Sequence, residues 1–400
     1  MTADDMMMDD LTDTRLSGNA QEDLTERGYS RRQLARIAAV FSVGAVAASV
    51  GRPAWAAAGV PDPAPVVKTR IGANECWTGP LMPGQKAAAA IIADGNRYAP
   101  KDERGDFIKA VMAVENVPYD HVAPWPGSSD PLSRAVVSFC SPTRGLVTAD
   151  PTFELAGRTA TWLGAPVKAV PLKADYSHDV KAMLAANPNA GLYYICTPNN
   201  PTGTMTPLAD IEWLVANKPK DAIVLIDEAY THFADKAPVA SYMAAAGKDV
   251  IVMRTFSKIF GMAGMRMGFI MARPDIIAKM MRYDGGMQSG ALPLPSLACA
   301  TASLTDASGI MARRKEMEEA RGMTLAHLKK KGLTVLPTAV NMFMVDWKTK
   351  PAKDMQAAFM KEDVAIGRNW PIWPTVSRIT VGSMEDMKNF TRAFDKISAA

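Results

Sequence analysis

The 400-residue sequence predicts an α/β protein, with a large domain on a mostly parallel sheet and a smaller α/β domain behind it. Three observations lead there. Apolar runs of strand length alternate with helical stretches between residues 145 and 271. Polar motifs follow three successive runs directly. After Leu294 the texture changes to long helices and then short strands. A chain of this length also exceeds one ordinary core, which favours two units.

The runs are Gly145–Ala149, Val167–Pro171, Gly191–Cys196, Ala222–Ile226, Val250–Met253 and Met267–Met271. Helical stretches such as Leu208–Ala216 separate most of them, and Pro131 to Phe139 predicts a further helix. Residues 296–331 read as one or two helices with a solvated charged face over Arg313–Arg321. Leu333–Leu336, Asn341–Asp346, Val364–Gly367 and Arg378–Val381 read as strands of the second unit. The expected division is a leader over 1–58, an arm with part of the small domain over 59–97, the large domain over 98–300 and the small domain over 301–400.

Composition narrows the function classes. Apolar residues make up 48% and charged residues 22%, as in globular chains. A net charge of +4, with no basic run interleaved with aromatics, points away from nucleic acid. Cys76, Cys140, Cys196 and Cys299 are widely spaced, and so are the four histidines, which argues against a metal site. The 26 methionines read as core filler.

The first 58 residues read as an address. Residues 1–29 are polar and acidic without periodicity, which predicts disorder. Ser30-Arg31-Arg32-Gln33-Leu34 precedes an apolar run, Ile37 to Val50, and Ala54-Trp-Ala56-Ala-Ala58 supplies small residues suited to cleavage. Together these resemble a twin-arginine export signal and predict a periplasmic protein. The run is shorter than the ~20 residues that span a bilayer, so no stable insertion is expected after cleavage. An uncleaved anchor, a plain secretory signal and an amphipathic surface helix are the alternatives. Removing the leader, with its eight acids and six bases, raises the net charge to about +6 (4 + 2).

The chemistry concentrates at strand ends, where α/β sheets bind ligands. Lys258, in Thr255-Phe-Ser257-Lys258, is a candidate nucleophile able to hold an aldehyde as a Schiff base. Ile259, Phe260 and Met262 are expected to give it an apolar pocket, and Arg266 a neighbouring cation. Asp227 closes a strand and can face a protonated pyridine nitrogen, although Asp is also a common helix cap. Tyr230 and Asn200, in Asp227-Glu-Ala-Tyr230 and Asn199-Asn200-Pro201-Thr-Gly203, can reach a ring hydroxyl; a packing tyrosine and a plain turn are their alternatives. Gly127-Ser128-Ser129-Asp130 opens a helix, where free N–H groups and hydroxyls favour a phosphate. Phe153 can stack on a ring. Arg378, and less so Arg368, can pair with a carboxylate, with surface ion pairs as the alternative. An aldehyde, a pyridine and a phosphate on one ring describe pyridoxal 5′-phosphate (PLP).

The motifs occur in a recognisable order: G-A-N-E at Gly72–Glu75, R-Y at Arg97-Tyr98, G-S-S-D, P-T-F, N-N-P-T-G, D-E-A-Y, T-F-S-K, an arginine eight residues past the lysine, and R-I-T-V-G ending at Gly382. The sequence thereby resembles the class I/II aminotransferases of PLP fold type I, and most the histidinol-phosphate aminotransferase branch, over roughly residues 66–395. The resemblance implies a seven-stranded sheet, PLP as cofactor, and an amino acid and a 2-oxo acid as substrates. It implies that Lys258 bonds the cofactor and shuttles a proton, that Asp227 holds the pyridine nitrogen, and that Tyr230 and Asn200 bind the ring hydroxyl. Ser128, Ser129, Ser257 and Arg266 would bind the phosphate. Tyr98 would reach the phosphate of the neighbouring subunit, which implies a homodimer with shared sites. Arg378, with Arg368 and Asn74, would meet the substrate. Racemase, decarboxylase, lyase and non-catalytic binder remain alternatives on the same fold. The chain departs from the branch at Cys76-Trp77, at Phe153 where tyrosine is frequent, and at Trp370, Pro371, Trp373 and Pro374. These departures are expected beside the substrate side chain.

Overall fold

The computed structural model describes residues 16–41, 67–235, 237, 239–284 and 292–399. Two helices come first, α1 (Gly18–Glu26) and α2 (Arg31–Phe41), then β1 (Thr69–Ile71), α3 (Met82–Ile91) and α4 (Glu103–Glu115). The large sheet follows: β2 (Val122–Trp125), α5 (Ser129–Phe139), β3 (Leu146–Asp150), α6 (Leu155–Leu163), β4 (Val167–Pro171), α7 (Val180–Ala186) and β5 (Leu192–Cys196). It continues through α8 (Leu208–Asn217), β6 (Ile223–Asp227), α9 (Ser241–Ala245), β7 (Val250–Thr255), β8 (Gly268–Met271) and α10 (Pro274–Met281). After α11 (Leu294–Leu304) and α12 (Ala307–Lys330) come β9 (Thr334–Val335), β10 (Met342–Asp346), α13 (Ala352–Lys361), β11 (Val364–Ile366), β12 (Asn369–Trp370), β13 (Trp373–Thr380) and α14 (Met384–Ala399).

The seven strands lie in the order β2-β8-β7-β6-β5-β3-β4. β3 to β7 pair in parallel, whereas β2 and β8 enter antiparallel. β2 was not among the strand-length runs. Pro124 breaks its apolar pattern, and β2 lies at the sheet edge, where a missing N–H is tolerated. Side-chain alternation gives the sheet two cores. Tyr193, Ile195, Val224, Ile226 and Val252 pack on one face. Leu192, Tyr194, Leu225, Ile251 and Met253 pack on the other. Twelve or more methionines, Met253 and Met344 among them, are fully or nearly fully buried, as filler should be.

Cys196, Asp227 and Met253 stand side by side in register across β5, β6 and β7. The segments that follow these strands therefore open at one sheet end. The smaller unit supplies the opposite wall. Its antiparallel sheet runs β12-β13-β10-β9, and β1 pairs in parallel with β11, carrying Gly72–Glu75 back from the N-terminal side.

The leader departs from expectation. Residues 16–29 are not disordered: α1 begins at the Ser17 cap, and Leu16, Ala20, Leu24 and Tyr29 are buried against the large domain. The acidic composition hid an apolar stripe spaced four residues apart (Leu16, Ala20, Leu24). Residues 31–38 continue as an amphipathic surface helix, burying Leu34, Ile37 and Ala38. The expected cleavage site and most of the apolar run lie outside the described residues. No helix among the described residues is long and apolar enough to cross a membrane.

Candidate active site

A cleft of about 430 Å³ opens at the carboxyl ends of β5, β6 and β7 and is closed over by the small domain. Most of the residues expected there meet in it. Ser128, Ser129, Phe153, Asn200, Asp227, Tyr230, Ser257, Lys258, Arg266, Arg368, Arg378 and Asn74 all border it. Tyr98 does not: it is fully exposed on the loop after α3.

Asp227 is the innermost charge, 3% exposed. Its Oδ2 accepts from Tyr194 Oη at 2.9 Å and its Oδ1 from the Ala229 amide at 3.1 Å. Burial pushes this carboxyl above the usual range, while Tyr194, the Ala229 amide and Lys258 pull against that. Glu228, the next residue, points elsewhere: it pairs at 2.8 Å with buried Arg254, which also holds Glu115. This buried triad fixes the end of β6 from behind. Asp227 is thus part of a strand end and not a helix cap.

Lys258 is half-buried, its Nζ donating to the Asn74 carbonyl at 3.1 Å and lying 5.3 Å from the centre of the Tyr230 ring. The expected apolar pocket is absent around it. Ile259, Phe260 and Met262 turn into the core, where the Phe260 ring packs at a tilt against Phe256. Arg266 is exposed and donates to the Ala263 carbonyl at 2.7 Å and to Ser257 Oγ at 3.4 Å.

The anion cradle follows from one helix start. Ser128 caps α5 by position yet makes no side-chain bond to its own helix, so its hydroxyl is free for a ligand. Gly127 has φ +89°, and a Cβ there would fall 2.3 Å from Arg266 Nη2. The positive φ favours glycine here, and without a Cβ the guanidinium keeps its place against the turn. Ser257 and Arg266 complete the cradle, where the free N–H groups of an eleven-residue helix favour an anion.

At the substrate side, Arg378 is buried, 9% exposed. It donates to Asn200 Oδ1 at 2.9 Å and to the Gly72 carbonyl at 2.6 Å. Its Nε is buried with no partner among the described residues, a donor suited to a carboxylate. Asn74 is turned to positioning: its Nδ2 donates to Tyr230 Oη at 3.1 Å and its Oδ1 accepts from Thr380 at 3.0 Å. Arg368 pairs with Glu154 at 2.9 Å across the mouth and lies over the Trp370 ring.

The sequence reading missed Tyr194, Glu154 and Thr380. Two-residue alternation puts Tyr194 on the face of Cys196, but only the β5–β6 register brings that face to Asp227. Of the departures from the branch pattern, Phe153 borders the cleft as expected, and the others do not. Cys76, Trp77 and Trp373 do not border the cleft, and Trp370 is buried beneath Arg368 and Arg378.

A lysine, an inner acid with its own hydroxyl donor, a tyrosine and an anion cradle define a PLP-dependent α/β enzyme, and the residues present fit that cofactor. The chain belongs to the class I and II aminotransferases, whose family pattern matches residues 68–394. It is a PLP-dependent transaminase of fold type I, which removes the non-catalytic alternative. Histidinol-phosphate aminotransferase of Moorella thermoacetica is 28% identical over 82% of this chain and 85% of its own. Aromatic amino acid aminotransferase of Corynebacterium glutamicum strain R is 31% identical over 83% of this chain and 94% of its own. A solved structure from Erwinia carotovora atroseptica SCRI1043, provisionally assigned as a histidinol-phosphate aminotransferase, superposes with a TM-score of 0.77 at 31% identity, covering 82% of this chain and 96% of that one.

Proposed function

We propose that this aminotransferase takes its amino group from an amino acid with a bulky uncharged side chain and passes it to a 2-oxo acid. The Arg368–Glu154 pair carries the reading. An arginine already matched by a carboxylate is a poor receiver for a second anionic group, and Glu154 repels one directly. Phe153 and Leu155 offer apolar surface beside the pair. The aromatic amino acid aminotransferase relative accords with such a side chain.

Bound PLP supplies the electron sink; the chain supplies position and proton transfer. Arg378 holds the substrate α-carboxylate. Lys258, whose Nζ lies at the Asn74 carbonyl beside the Tyr230 ring, would bond the cofactor aldehyde and would then serve as the base that moves the substrate Cα proton. Asn74 orients Tyr230 through its bond to Oη; Tyr230 and Asn200 would hold the ring hydroxyl, and Asp227 would hold the pyridine nitrogen.

A panel of donors, read by loss of the visible cofactor band, tests the substrate class. Phenylalanine or tyrosine should exceed aspartate and histidinol phosphate at least tenfold in kcat/KM; histidinol phosphate as the best donor would sink this reading. Because the pair is exposed and worth about 1 kcal/mol or less, Glu154→Gln should improve anionic donors by about fivefold at most.

Two further elements belong to the proposal. Tyr98 is fully exposed, and Ile92 and Met82 nearby in the chain are exposed as well. These apolar side chains suit a second copy, with Tyr98 reaching the partner's cradle. Mixing inactive Lys258→Ala with Tyr98→Ala protein should restore activity through hybrid dimers; no recovery refutes shared sites. Ser30-Arg31-Arg32-Gln33-Leu34 supports export to the periplasm by the twin-arginine route. Replacing both arginines by lysine should keep the protein in the cytoplasm, and unchanged fractionation rules that route out.

A further inference from the structure

Helices α5 and α6 border the cleft with their N-terminal ends, and their C-terminal ends lie under the leader. The last carbonyls of a helix have no partner within it. Here the leader provides donors for them. Arg27 Nη2 donates to the Val137 carbonyl at 2.7 Å and also to that of Cys140. Tyr29 Oη reaches the Cys140 carbonyl at 2.7 Å. Gln33 Nε2 donates to Leu163 at 2.7 Å and Arg36 Nη1 to Trp162 at 2.9 Å. Two of these four donors are cations placed at helix C-termini, the end where positive charge is favoured.

The contact is sequence-specific. Asp23 pairs with Arg282 and accepts from Tyr283 at 3.1 Å, and Tyr283 accepts in turn from Arg27 at 2.8 Å. Leu16, Leu24, Tyr29, Leu34 and Ile37 join the core on the α5–α6–α10 side of the sheet. Gly164, just past α6, has φ +81°, and a Cβ there would lie 2.5 Å from Gln33 Nε2. The S-R-R-Q string also has local work to do. Ser30 N donates to Gln33 Oε1 at 2.8 Å, and Gln33 N to Ser30 Oγ at 3.4 Å, a reciprocal cap that starts α2. Arg31 and Arg32 stay exposed on it.

We propose that residues 16–38 are a retained part of the working enzyme, docked on the α5–α6–α10 face as a cap for the C-terminal ends of α5 and α6. A leader cut away near residues 57–59 would strip those carbonyls and bare the apolar face. The segment is therefore kept, and the exported form is the uncleaved one.

Two measurements on the full chain decide this. Intact mass of the enzyme isolated from its native cells should include residues 16–38; a mature N-terminus near Ala57 to Gly59 overturns the proposal. In hydrogen exchange, amides of α1 and α2 should be protected at least a hundredfold over a free peptide; free-chain rates there overturn it equally. Arg27→Ala and Leu24→Asp should each lower that protection at least tenfold. Both should also loosen the last turns of α5 and α6 while the amides of β5, β6 and β7 keep theirs. Unchanged exchange at those last turns after the cap has loosened would show that it caps nothing.

Discussion

The two ends of α5 are held in opposite ways. At its start, Ser128 leaves its own helix uncapped, and the free donors face the cleft. At its end, Arg27 and Tyr29 donate to the Val137 and Cys140 carbonyls. α6 repeats the arrangement, with Glu154 at the mouth of the cleft and Gln33 and Arg36 at the far end. A helix end left without internal partners is a binding site; one filled from within the chain is scaffold. The same orphaned backbone groups serve both purposes, and the local partner decides which.

Substitutions that affect one end and spare the other break or sharpen this contrast. The largest effect belongs to Lys258→Ala. On the role proposed for Lys258, losing its amine should cost about a thousandfold or more in the amino-transfer half-reaction. Leader protection in hydrogen exchange should stay as in the wild type. Residual turnover within tenfold of wild type would remove Lys258 from the mechanism.

Tyr194→Phe comes next. It deletes a buried hydrogen bond to a carboxylate, worth about 1.5–3 kcal/mol, and should raise the Asp227 pKa further. Weaker PLP binding and slower turnover, each by about tenfold, are expected, with a shifted pH dependence of the cofactor band. A lower Tm with cofactor affinity and band unchanged would make Tyr194 a packing residue only.

The smallest effect is at the cap. Burial would raise the Asp23 carboxyl, but the Arg282 and Arg27 guanidiniums outweigh it and hold the group below its ordinary value. A carboxyl depressed in the folded state stabilises above its unfolded value, near 4, and loses that contribution as pH falls through its folded value. Acidification below about pH 4 should therefore loosen α1, as read by exchange of its amides, and Asp23→Asn should abolish that acid step. An unaltered acid step in the variant would assign it to other groups.

Legibility followed the range of the interactions. Lys258, Asp227, Tyr230 and Asn200 were readable because each sits in a short motif directly after an apolar run, and strand ends of a parallel sheet converge. Tyr194 was not, because its partner Asp227 is thirty-three residues away and meets it only through strand register. Ile259 and Phe260 were misread for the same reason: chain proximity to Lys258 did not decide which way they face. The leader was misread because composition outweighed a three-residue apolar stripe whose receiving surface lies more than a hundred residues later.

By itself, the sequence determined the alternation of strands and helices, the family and most of the residues that meet in one cleft. Those depend on local periodicity and on motifs complete within a few residues. Tertiary structure decided which groups the motifs actually meet. It joined Asn74 to Tyr230, matched Arg368 with Glu154, and laid the first two helices against the ends of two others. Such outcomes depend on pairings between distant segments, and no local pattern encodes which buried donor will reach which orphaned acceptor.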